Sequence, residues 1–226
     1  MIQHEEIQGL LAQISELKHE IISQEEFGKA VSLVEAHLNQ TDAYLSADES
    51  ADAPQSSTIL SRFGLNPELF NLQTALITIT EMSASRPAVL SLVMLQSVIS
   101  GHLTIEEVRT SFGDDVARII HGLMRIQDFY AQNSSIETEN YRDLLLSIAE
   151  DMRVIFIIIA ERVNLLRQIK DLGTEDDRKK VAREASFMYT PSCSQSSANY
   201  EIEKVVCCLS FCCTGAKFAD LINKSS

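Results

Sequence analysis

The chain has 226 residues, 45% of them hydrophobic and 23% charged, a size and balance that suit one large or two small folded domains. A formal net charge of −13 excludes non-specific binding to a phosphate backbone or an anionic lipid surface. With 8 Gly, 4 Pro, no Trp and 6% aromatics, the composition weighs against sandwiches and barrels and points to an all-α fold.

The first twenty residues are charged and amphipathic, with no signal pattern. Ile7, Leu10, Leu11, Ile14, Leu17 and Ile21 recur at helical spacing. Ser23-Gln24-Glu25-Glu26 then reads as a capping box opening a second helix through Phe27, Val31, Val34 and Leu38. From Thr41 to Ser57 the chain turns small, acidic and polar, which predicts a loop whose acidic run, Asp48 to Asp52, is solvated.

Pro67 to Met82 and Pro87 to Ile99 are apolar on most faces and begin with a proline suited to the first helical turn, so they are expected to form the core. Thr104-Ile105-Glu106-Glu107 is another capping box, and Gly113-Asp114-Asp115 precedes a helix to about Tyr130. Glu139 to Asp171 is the longest periodic stretch, apolar almost all round between Val154 and Ala160, and belongs at the centre of the bundle. That apolar run falls far short of the ~20 residues that span a bilayer, so no membrane partner and a cytoplasmic location are expected. Thr174-Glu175-Asp176-Asp177 caps one more helix, Ser192 to Ser197 forms a linker, and helices follow near Tyr200 to Cys213 and Phe218 to Ile222.

Several segments, in order, resemble the N-terminal hydrolase domain of the RelA/SpoT family, the bacterial stringent-response enzymes that make and degrade (p)ppGpp. Ala36-His37-Leu38-Asn39-Gln40 is similar to the family's A-H-x-G-Q, and Arg62-Phe63-Gly64-Leu65-Asn66-Pro67 sits where R-x-S-G-E-P is expected. Phe112 to Gly122 resembles F-G-x-x-V-A-x-L-V-x-G, Tyr141 to Val154 resembles the helix before the last metal ligand, and Val181-Ala182-Arg183-Glu184 through Tyr189-Thr190-Pro191 resembles I-A-x-E-T…Y-A-P. Tyr200-Glu201-Ile202 and Leu209-Ser210-Phe211 echo the linker that leads into the family's synthetase domain.

The resemblance implies an HD-domain-like helical bundle, with residues 1–26 as an N-terminal helix, 27–191 as the hydrolase-like domain with a flexible insertion at 41–57, and 192–226 as linker helices. Active family members hold Mn²⁺ with two His and two Asp, which acidify a bound water for attack on a diphosphate. Here the first His position is Asn71, the paired His-Asp position is Gln96-Ser97, and the last Asp position is Glu161. The catalytic Glu-Asp pair falls at Ser100 and Gly101, and the Asn after the last ligand at Leu165.

No cofactor and no hydrolysis are therefore expected, and the chain reads as a regulatory or nucleotide-sensing relic of a (p)ppGpp 3′-pyrophosphohydrolase. The alternative is a weak or altered metal-dependent phosphohydrolase using Glu161. Guanine nucleotide, (p)ppGpp or GDP, is the expected small ligand, with Arg62 and the Leu165 position as its contacts. A synthetase domain in a longer chain is the expected macromolecular partner, and a third reading is a purely structural partner domain. Glu161 is expected to pair with Arg162, Arg153 or Arg118, since a buried carboxylate needs a cation. His37 and His121 read as core or semi-buried residues. The five cysteines, Cys193, Cys207, Cys208, Cys212 and Cys213, read as buried or idle thiols, with metal or redox use and crosslinking as alternatives.

Overall fold

A computed structural model describes residues 2–17, 21–45, 58–82, 84–132, 151–170, 172–179 and 181–182. Its helices are α1 (Ile2–Leu17), α2 (Gln24–Leu45), α3 (Thr58–Arg62), α4 (Pro67–Glu81), α5 (Arg86–Ile99), α6 (Ile105–Phe112), α7 (Asp114–Gln132) and α8 (Met152–Ile169). Among the described residues there is no strand, and no helix is long and apolar enough to cross a membrane.

The helix boundaries follow the local chemistry. Asn66 caps α4 by accepting from the Leu69 N–H at 3.1 Å, with Pro67 in the first turn where its missing N–H costs nothing. Thr104 and Glu107 close the reciprocal capping box of α6. Two boundaries differ from the sequence reading. Helix α2 runs on to Leu45, so Thr41 to Leu45 is helical rather than loop. Helix α8 begins at Met152, within the stretch expected as one periodic segment from Glu139, because Asp151 is extended (φ −124°, ψ 121°) and its carboxylate caps the helix by accepting from the Arg153 N–H at 2.9 Å.

Every residue from Ala88 to Leu95 is buried, because α5 packs against α2, α4, α7 and α8. This helix, and not α8, takes the centre. Helix α8 lies on α4, α7 and the flank of α5, leaving Met152 and Phe156 61% and 41% exposed one turn apart. Helix α1 packs on α4 and contributes Ile7, Leu11 and Ile14 to the common core.

Ion pairs stitch the seams. Arg86 at the start of α5 binds the Glu26 carboxylate of α2, with Nε to Oε2 at 2.8 Å, and donates to the Phe112 carbonyl at the end of α6 at 2.9 Å. Arg153 of α8 bridges Asp151 and Asp115 of α7 at 2.5 and 3.0 Å, and holds both carboxyls below the usual carboxylate range.

Candidate functional site

Asn71, Gln96-Ser97 and Glu161 lie on α4, α5 and α8, three helices that pack on one another. The register of α8 against α4 is fixed by Asn164, one turn after Glu161. Its Nδ2 donates to the Phe70 carbonyl and to Thr74 Oγ1, both at 3.0 Å, and its Oδ1 accepts from Gln168 Nε2 at 2.8 Å. Gln168 also reaches Gln73 at 2.6 Å, and Arg167 grips Glu81 at 2.6 and 2.8 Å. This ladder holds α8, from Asn164 to Gln168, along α4 from Phe70 to Glu81.

Asn71 and Ser97 are buried, and Ser97 Oγ has no hydrogen-bond partner among the described residues. Gln96 is half-buried and donates to Ser100 Oγ at 3.3 Å. Gly101 is exposed with φ 75°, and its N–H donates to the Val98 carbonyl at 3.0 Å while His102 and Leu103 both donate to the Ser97 carbonyl. It serves as the left-handed residue that ends α5, a conformation L side chains rarely adopt.

Glu161 is partly accessible yet so surrounded by protein that burial pushes its carboxyl up to about 7, with Arg162 opposing the shift only in part. The other expected partners are committed elsewhere: Arg153 to Asp151 and Asp115, and Arg118 to Asp114 and Asp115. Leu165 is buried in the apolar core. Arg62 stands apart from the three-helix junction, half-exposed at the end of α3 and 3.5 Å from Asp177.

His121 is exposed on α7, not buried, because its neighbours Ile120 and Leu123 take the core-facing positions. The side chain of His37, the segment Tyr141 to Glu150 and all five cysteines lie outside the described residues.

Two buried polar residues on α4 and α8 were not anticipated. Glu68, in the first turn of α4, is 5% exposed, its Oε2 lacks a partner among the described residues and burial raises its pKa to about 7. It shares a helix face with Asn71, three residues on. Asn164 is the other, a buried amide in an apolar run. Among the described residues no three His, Cys, Asp or Glu side chains gather as a metal-binding group.

An all-helical bundle with polar residues on three mutually packed helices at its core defines the class. The HD domain family model matches residues 69–193, more than half the chain, and the chain belongs to this family. Its relatives bear out the RelA/SpoT resemblance. It is 26% identical over 125 residues to the guanosine-3′,5′-bis(diphosphate) 3′-pyrophosphohydrolase of Aquifex aeolicus, covering 55% of this chain and 18% of that protein. It is 29% identical over 90 residues to the probable guanosine-3′,5′-bis(diphosphate) 3′-pyrophosphohydrolase of Synechocystis sp., covering 39% and 12%. It is 27% identical over 104 residues to the GTP pyrophosphokinase of Haemophilus influenzae, covering 43% and 14%. The matches thus span under a fifth of the length of each of these relatives.

Proposed function

We propose that this chain is a catalytically inactive HD domain of the RelA/SpoT kind, kept as a regulatory or nucleotide-sensing domain. The observation that carries the proposal is the set of donors that α4, α5 and α8 offer at the positions the family uses for its metal. Asn71, Gln96 and Ser97 are neutral, so of the four positions only Glu161 has a carboxylate. A hard divalent ion such as Mn²⁺ is held by several imidazoles and carboxylates, and amides and hydroxyls do not replace them. The residues present do not fit that ion. Burial raises the carboxyls of both Glu161 and Glu68 to about 7.

The base positions agree. Ser100 has no carboxylate with which to take a proton from water, and Gly101 has no side chain. What remains for a nucleotide is Arg62, half-exposed, with a guanidinium able to bind a diphosphate through paired hydrogen bonds. The names of the relatives support a guanine nucleotide as the ligand and a synthetase domain elsewhere in a longer chain as the partner.

Calorimetry in EDTA tests the binding half of the reading. Saturable binding of GDP or guanosine 3′,5′-bis(diphosphate), with the nucleotide recovered intact, is expected. No binding up to millimolar ligand would remove the sensing role.

A further inference from the structure

Arg62 is also tied to the last described stretch of the chain. Its Nη1 lies 3.5 Å from Asp177 Oδ1. The other oxygen of that carboxylate accepts from Thr174 Oγ1 at 2.6 Å, while the Asp177 N–H donates back to Thr174 Oγ1 at 3.2 Å. One carboxylate therefore joins Arg62 to the cap of the helical turn beginning at residue 175. The preceding turn rests on the neighbour of Arg62. Gly173 has φ +66°, and a Cβ there would stand 2.5 Å from Phe63 Cε1. The Arg178 guanidinium closes the turn by donating to the Leu172 and Gly173 carbonyls, each at 3.1 Å.

We propose that the Arg62–Asp177 contact is a displaceable latch: an anionic phosphate ligand that engages Arg62 takes it from Asp177 and loosens residues 172–178 from α3 and Phe63. The inference rests on the nucleotide-binding reading above and names the contact through which binding reaches the chain that follows. The geometry suits displacement. The two side chains are 48% and 30% exposed, and a solvated pair at this separation holds weakly. A diphosphate carries more charge and offers the guanidinium a pair of shorter hydrogen bonds. Gly173 lets the turn sit close to Phe63 without a side chain in the way, and residues 172–176 are exposed, whereas Val181 and Ala182 beyond them are buried in the core.

The test measures GDP affinity of the full chain by calorimetry and amide hydrogen exchange over residues 172–182, for the natural sequence, Asp177→Asn and Arg62→Ala. Asp177→Asn keeps an acceptor for the Thr174 cap but removes the competing charge, so it is expected to bind GDP about two- to fivefold tighter, the scale of an exposed ion pair. Arg62→Ala is expected to bind at least about tenfold more weakly, as loss of a charge-assisted phosphate contact. Exchange over 172–182 is expected to quicken in Asp177→Asn and, in the natural sequence, on saturation with GDP. Binding by the natural sequence with no gain in Asp177→Asn and no change in exchange would overturn the latch and leave the nucleotide reading standing. Absence of saturable binding by both the natural sequence and Asp177→Asn would overturn the two together.

Discussion

Asn164 of α8 donates from its Nδ2 to the backbone carbonyl of Phe70 in α4 at 3.0 Å, inside a helix–helix seam that excludes water. The same amide nitrogen reaches Thr74 Oγ1, whose own hydroxyl hydrogen goes to the Phe70 carbonyl at 2.8 Å. One side chain thus ties α8 to α4 one turn after Glu161.

Asn164→Ala is expected to lower unfolding free energy by roughly 2–3 kcal/mol, the cost of stranding buried partners plus a small cavity. Urea denaturation with an unchanged slope checks it. A loss below ~0.5 kcal/mol would show that the ladder of Asn164, Gln168 and Gln73 does not hold the seam.

Glu68 makes stability depend on pH. Its carboxyl is raised from 4.5 to about 7 by burial, so between those values the folded chain keeps a proton that the unfolded chain has released. Stability contributed by this group is present below pH ~4.5 and falls as pH rises towards ~7. The loss is roughly 3 kcal/mol, since each tenfold difference in proton affinity between the folded and unfolded chains is worth about 1.4 kcal/mol. Glu68→Gln mimics the protonated acid. The variant is expected to match the natural sequence near pH 4.5 and exceed its stability above pH 7, read from Tm across the range. An equal pH profile for the two proteins contradicts the assignment.

Gly122 on α7 faces Val154 on α8 so closely that an added Cβ would lie 2.9 Å from Val154 Cγ2. Gly122→Ala therefore sets a helix-propensity gain of about 1 kcal/mol against overpacking of about 1–3 kcal/mol. Paired with Val154→Ala, the clash disappears. A double-mutant cycle is expected to show favourable coupling of about 1 kcal/mol or more, and additivity would mean that the two helices do not meet there.

Much of this architecture is legible in the residues. Pro67 and the Thr104–Glu107 capping box mark helix starts where the structure has them, because both signals act within a single turn. The start of α8 is less visible: Asp151 sits in a sequence that stays helical in period on both sides, and only its extended backbone and the Arg153 N–H donated to its carboxylate show that it caps a helix. Glu68 hides for a different reason. An acid in the first turn of a helix ordinarily faces solvent and complements the dipole, so nothing in the sequence separates this buried carboxylate from an exposed one. Asn164 is hidden likewise, since its partners, Phe70 and Thr74, are far away in the chain and are brought close only by the packing of α8 on α4.

The resemblance assigns Asn71, Gln96, Ser97 and Glu161 to the ligand positions, and the helices that carry them, α4, α5 and α8, pack on one another. The environment of these residues was not legible in the sequence. Burial raises the Glu161 carboxyl and leaves Ser97 Oγ without a partner among the described residues, consequences of three helices meeting and not of any local pattern.

The central claim is the absence of hydrolysis, and turnover of guanosine 3′,5′-bis(diphosphate) with Mn²⁺ titrated into the purified chain tests it most directly. The account predicts no pyrophosphate release above the buffer rate and no stoichiometric Mn²⁺ retained. Mn²⁺-dependent release of the 3′-pyrophosphate that Glu161→Ala abolishes would contradict it.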